Sequence, residues 1–504
     1  MATIPIPIRS QPGIKRDGTE LEGQVYVDGQ WVRFQRGLPR KMGGYRSISK
    51  LLDGSPRILH SQVRDRFEYI HCGSAEFVER VLWKLGDTTS TVVDRTPAGH
   101  TNEPSNYWHF EAMYDSTSAK MLILALLTNG CPCSTDTAGA LFSGDIYDVA
   151  PLTTVANCTA SSGILALPPF LIAYGSDGYV QWSVPNFPLN FTGIGAGESR
   201  VTAQKIMKAL PLRGGGGYSP ACLLWSVDSL IRMMYTGGDT QWQWDELSTQ
   251  ISVMAPTAIV ENDGIYYWPG TDRWLMFNGV VREIPNQLNM NWFFDNITWG
   301  TRCYAMRNPR WGEIWWCFPK DGASEATHAV VYNYREEIWY DTVLPNGGRG
   351  AGVHDDSTSG VMMTGNVKNS VDHYTLWAHE TGKDEIDGST TRAIQSYFET
   401  SDLFLPDADP PVNKGIHIDF IEPDFVQSGD MTVYVKTRPN ARAPFTVAEQ
   451  KTFSATAASP YEQVVPLKVT GRQLRLRFES NVTGGDYQMG QVIGHISPST
   501  GKVL

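Results

Sequence analysis

At residues 229–245 the sequence runs SLIRMMYTGGDTQWQWD, two stretches rich in Ile, Met, Tyr and Trp on either side of Gly237, Gly238 and Asp239. Large apolar and aromatic side chains suit a pleated strand, and paired glycines supply the positive φ of a tight reversal. The segment therefore predicts a β-hairpin. The same grammar recurs. LIAYGSDGYVQWSV (171–184) turns at Ser176, Asp177 and Gly178, and DGIYYWPGTDRWLMFNG (263–279) turns at Pro269 and Gly270. RFEYIHCGS with RVLWKLGD (66–87), and GEIWWCFPKD with AVVYNYREEIWYDT (312–342), are further strand pairs.

Hairpins that return about every 45 to 60 residues are the pattern of a β-propeller, whose blades are four-stranded meanders around a central axis. Residues 52–402 accommodate six or seven such blades at about 50 residues each. Tyr332 and Trp339 sit where kelch-type blades place a Tyr and a Trp, but the paired glycines expected upstream are missing. A double-sheet β-sandwich is the competing architecture. Composition agrees with many short strands and turns: among 504 residues are 16 Trp, 21 Tyr, 48 Gly and 30 Pro. ESRVTAQKIMKALPL (198–212) is the best helical candidate and it is short, so the chain reads as all-β.

LFLPDADPPVNKG (403–415) is rich in Pro and Asp and reads as a linker. Beyond it, alternation is clean: Ile416, Ile418 and Phe420, then Met431, Val433 and Val435, then Leu474, Leu476 and Phe478 with Arg475, Arg477 and Glu479 between them. One oily and one charged face per strand predicts a separate, smaller β-sandwich-like domain over 416–504. Residues 1–51 are then an N-terminal arm with the first strand or strands.

The balance of 42 Lys plus Arg against 53 Asp plus Glu, a net charge of −11, argues against general nucleic-acid affinity. It leaves room for a channel whose repulsive wall lets DNA pass without sticking. KMLILALLTNG (120–130) is far too short to span a bilayer, so no stable membrane insertion is expected. MATIPIPIRSQPG lacks the basic start and apolar run of a secretory signal. Of seven cysteines only Cys131 and Cys133 are close, at a spacing poor for a metal or a disulfide, so reduced structural thiols are expected.

Propellers also host glycan-cleaving enzymes, which need two carboxylates flanking the bond, or an activated Tyr, with an arginine clamp. Asp263, Asp272, Glu313, Glu336 and Glu337 are available, but spacing assigns no pair of them to one site. SDGYVQW (176–182) has the residues of a sialidase-type Asp-box at the wrong spacing. VHDDS (353–357) sets His354 beside Asp355 and Asp356, yet neighbours on a strand point to opposite faces, so a polar loop is expected there rather than a metal site. RGGGGYS (213–219) lacks the Gly-Lys-Ser/Thr of a phosphate-binding loop. The reading is of no enzyme, no cofactor and no metal.

VYVDGQWVRFQRGLPRKMGGYR (25–46) is basic and aromatic in an acidic chain. With GVVREIPN (279–286), VYNYREEIWYD (331–341) and GRQLRLRFES (471–480), it resembles, in order along the chain, the tail nozzle or hub proteins of short-tailed phages, also called packaged-DNA stabilisation proteins. The resemblance implies a propeller with accessory β domains, six copies forming a tube below the portal and its adaptor ring. Such a tube closes the virion after packaging and conducts DNA at ejection. It implies a homo-oligomer, a hexamer, as part of a virion tail assembled in the host cytoplasm. Its partners would be the adaptor and portal ring, tail fibres or tailspikes, and genomic DNA transiently in the lumen. The alternative function is a glycan-binding or glycan-cleaving propeller of a phage tail. On this resemblance Arg33, Arg36, Arg40, Lys41 and Arg46 are interface candidates, facing an acidic neighbour rather than DNA. The plainer reading has them in water, with Trp31, Phe34 and Tyr45 packed in the core.

Overall fold

Each hairpin of the middle region closes on its sequence neighbour. The computed structural model describes residues 3–21, 23–84, 86–87, 89–100, 106–129, 139–213, 219–238, 241–354, 360–367, 374–403, 415–455 and 464–499. Among them the fold is β, with one α-helix, Met290–Asn296. No described helix is long and apolar enough to cross a membrane.

Seven antiparallel meanders follow one another. The first six are each built from four consecutive strands, spanning 58–94, 106–154, 163–200, 206–248, 260–283 and 304–343. The seventh takes Arg349–His354, Met362–Asn366 and Tyr374–His379, and borrows Tyr45–Leu52 as its fourth strand. First strands lie side by side: Ile58–Arg64 against Asn106–Asp115, then Gly163–Leu167, then Ile206–Pro211. Val260–Asn262 lies against Tyr304–Asn308, then Arg349–His354, which lies beside Ile58–Arg64 again. Meanders four and five share a core of Leu223, Trp225, Tyr266 and Trp268.

The hairpin predictions hold in register. Ile172 pairs with Trp182, Tyr235 with Trp242, and Pro269 with Trp274. Asp177 and Gly178 take positive φ in their turn. Tyr332 and Trp339 face each other across two strands, their rings stacked 4.6 Å apart. The best helical candidate, 198–212, is strand instead, in keeping with the all-β reading: Gly197–Arg200 and Ile206–Pro211 are strands, because Ile206 and Ala209 are buried between sheets and packing overrides local spacing. The true helix was missed. Its amino end is held from afar, Asn291 and Trp292 donating their backbone N–H groups to the Asp17 carboxylate at 2.8 and 2.7 Å.

The expected boundaries also change. Among the described residues, 4–41 supply strands to each of the sheets around 415–499, which are not completed by strands of 415–499 alone. Ile4–Ile8 pairs with Val492–Ser499, which joins Gly415–Glu422 and Val465–Gly471. Asp28–Gln30 and Ser396–Glu399 extend a sheet of Gln473–Ser480, Met431–Arg438 and Thr446–Phe453. Val32–Gln35 and Leu38–Lys41 join Asp486–Met489 and Phe425–Ser428. One core runs from Ile6, Ile418, Val433, Leu476 and Ile496 to Trp315 and Tyr340 of meander six. Phe420 departs from its expected buried face, because a register shift between Ile418 and Phe420 puts Ile421 inside instead. Arg475 is not on a wet face: it is 2% exposed, paired with Asp402 and Glu20 beneath the Phe445 ring. Residues 404–414 of the linker lie outside the described residues, as do Cys131, Cys133, Asp355, Asp356 and the glycines of 214–217.

Candidate functional site

Val32–Gln35 pairs antiparallel with a short return strand, Leu38–Lys41, through a turn in which Arg36 and Gly37 both have positive φ. Glu336 clamps that turn. Its two carboxylate oxygens accept the backbone N–H groups of Arg36 and Gly37 at 2.8 and 3.1 Å. Trp31, Phe34 and Tyr45 are buried, as the aromatic pattern predicts.

Arg33 is only 1% exposed and lies between two acids. Its Nε is 2.8 Å from Glu313 Oε1, and it forms a two-pronged pair with Glu380. Glu313 also accepts from Tyr340 Oη at 2.7 Å, Trp315 Nε1 at 2.9 Å and Asn308 Nδ2 at 3.2 Å. Trp311 Nε1 donates to Glu380 at 3.0 Å, and its ring lies under the Arg33 guanidinium at 4.4 Å. Burial opposes the Arg33 charge, but the two carboxylates outweigh it and leave its pKa above the ordinary arginine value. Burial raises Glu313 despite Arg33, whereas for Glu380 burial is overcome by Arg33 and Trp311 and the pKa falls.

The five basic candidates separate. Lys41 is buried and donates to Gly485 O at 2.7 Å; burial lowers its pKa to about 8 against the pull of Asp384 and Asp486. Arg33 and Lys41 are thus engaged inside the chain and face no neighbour. Arg46 lies on Tyr45–Leu52 opposite Ala378, half-buried. Arg36 is exposed and Arg40 half-buried, the latter stacking 4.7 Å from the Trp311 ring.

The carboxylates named above are scattered except for one pairing the spacing did not reveal. Glu313 meets Glu380, with an arginine and a tyrosine beside them, which is the residue set that glycoside cleavage requires. Here Glu313 has no exposure, and both its oxygens are engaged by donors of this chain, so no sugar oxygen reaches it. Glu336 holds the Arg36–Gly37 turn, Glu337 sits at positive φ in the turn that joins His328–Asn333 to Ile338–Val343, and Asp263 lines a cleft of about 370 Å³ with Glu261, Arg213 and Arg307. Glu380 follows a strand end and carries no local signal. No protein-family model and no curated protein matches the chain.

Proposed function

We propose that the chain is a structural subunit of a short phage tail, a nozzle or hub whose copies form a tube that retains packaged DNA and conducts it at ejection. One observation carries this reading. The four segments on which the resemblance rests, far apart in sequence, converge on a single junction. Trp31 of the first donates its backbone N–H to Thr342 Oγ1 at 2.9 Å, one residue beyond the third segment, whose Glu336 holds the Arg36–Gly37 turn. Trp339 of the third donates Nε1 to Pro285 O of the second at 2.8 Å. Glu479 of the fourth pairs in register with Tyr397, which pairs in turn with Gln30 of the first. A signature that fastens sheets together speaks for shared architecture rather than shared chemistry.

The seven meanders are the blades of a propeller in this reading, and the sheets around 415–499 are an accessory sandwich fastened to blade six. Side-by-side first strands and a last sheet completed by Tyr45–Leu52 support it. Copies, six by analogy, assemble below an adaptor and portal ring and carry fibres or tailspikes in the virion tail. Electron microscopy of the purified protein tests the proposal: closed rings or tubes are expected, and a monodisperse monomer that also fails to bind tailless particles overturns it. Release of reducing ends from host surface glycan, abolished by alanine at one of the carboxylates above, would favour the glycan-cleaving alternative.

A further inference from the structure

Residues 33–46 are the densest basic run in the sequence, and the fold adds two turns of meander six to them. Arg310 lies exposed with its guanidinium 5.1 Å from the Trp311 ring, on which Arg33 and Arg40 also stack. Arg335, exposed, donates to the backbone oxygens of Arg310 and Pro309 at 3.1 and 2.6 Å. Arg9, also exposed, brings Nη2 to within 3.9 Å of the Cβ position at Gly37, in the Arg36 turn. Arg9, Arg36, Arg40, Arg310 and Arg335 thus crowd one surface of a chain whose net charge is −11. The acids there are Glu336, both of whose oxygens hold backbone amides, and the exposed Glu337. Beneath them Glu313, buried, and Glu380, half-buried, neutralise Arg33, and Glu380 also feels the charge of Arg310. Like charges so close repel, and an acidic chain has ample room to disperse them.

We propose that this arginine patch around Trp311 is a docking surface for an acidic protein segment, with Arg36 and Arg310 receiving its carboxylates. Among the described residues neither of these guanidiniums has a hydrogen-bond acceptor in its own chain, and a planar guanidinium matches a carboxylate with two parallel hydrogen bonds. A protein partner fits better than duplex DNA. Phosphate binding draws on an extended basic track, whereas here the basic surface is confined to three turns and the adjoining Arg9, and the rest of the chain repels a long polyanion. The inference deepens the assembly reading, but the two fail separately: microscopy judges the tube, and binding judges the patch.

The test uses the full chain and a fluorescein-labelled oligoglutamate peptide, read by anisotropy at low salt. Binding is expected, weakened about tenfold or more by Arg36→Glu combined with Arg310→Glu, and weakened by added salt. Arg64→Glu, an exposed arginine on meander one, should leave it unchanged. An unaltered melting temperature confirms that the variants fold. Absence of peptide binding, or equal binding by the double variant, overturns the proposal. So does tighter binding of a labelled DNA duplex that the double variant loses, which would make the patch a nucleic-acid site.

Discussion

Meanders one to six and the three sheets around 415–499 are both antiparallel β, yet they are built by opposite rules. In the meanders every strand pairs with its neighbour in sequence, and the cores are aliphatic and aromatic. In the accessory sheets no sheet is complete without strands from residues 4–41, and ion pairs at the seams are buried or half-buried: Arg33 with Glu313 and Glu380, Arg475 with Asp402, and Arg16 with Asp341 at 2.9 Å. Local pairing costs little loop entropy and needs only shape. Non-local pairing needs contacts that say which strand belongs where, and a charged group that is costly unless matched supplies that discrimination.

The largest effect expected from this contrast follows deletion of residues 3–41. Amide exchange should become fast across the strands of 415–499 and stay slow in those of 106–283; uniform loss of protection would dissolve the distinction. Next in size is Arg33→Ala, which strands the buried Glu313 carboxylate and the half-buried Glu380. It should cost about 3–5 kcal/mol in urea unfolding, the usual consequence of breaking a buried pair. A loss below 1 kcal/mol would mean that the pair gives no specificity.

Two titrations with opposite signs sharpen the comparison further. Glu111 of meander two has its pKa raised by burial to about 7, against a pull from Lys208 and a hydrogen bond from the Ala166 backbone. The folded state therefore holds a proton that the unfolded state releases. This contribution is present below about pH 4.5 and is lost as pH rises through 7. Glu111→Gln should accordingly gain on wild type by about 1–3 kcal/mol between pH 4.5 and 7 in paired thermal or urea unfolding. Lys41 works the other way. Its folded pKa of about 8 lies below the ordinary lysine value, so its burial penalty is present below pH 8 and relieved as pH rises beyond it. Lys41→Met should stay within about 1 kcal/mol of wild type at pH 7 and lose ground between pH 8 and 10.5. A flat difference curve for either variant would show that its charge is already solvated.

The same contrast explains what could be read in advance. Hairpins such as 171–184 and 229–245 were legible because period-two alternation and a glycine turn lie within one short window. The seventh meander's fourth strand, Tyr45–Leu52, was not, since nothing near residue 45 names Tyr374–His379 as its partner. Clean alternation after residue 415 located strands and missed both a bulge at Asp419 and the burial of Arg475, which depends on Asp402 and Glu20 arriving from elsewhere. At the candidate site the basic run was visible, whereas Glu380 and the Arg310 and Arg335 turns join it only through the fold.

Pairing of Ile4–Ile8 with Val492–Ser499, and of Tyr45–Leu52 with Tyr374–His379, sets a timetable for synthesis. A ribosome moving at about 5–20 residues per second makes these early strands wait tens of seconds for their partners. During that wait Ile-Pro-Ile-Pro-Ile is an apolar strand that cannot present a full row of N–H donors, because Pro5 and Pro7 have none. The waiting strand is thereby a poor template for a stray chain on the polysome, and still an adequate edge strand when residues 492–499 emerge.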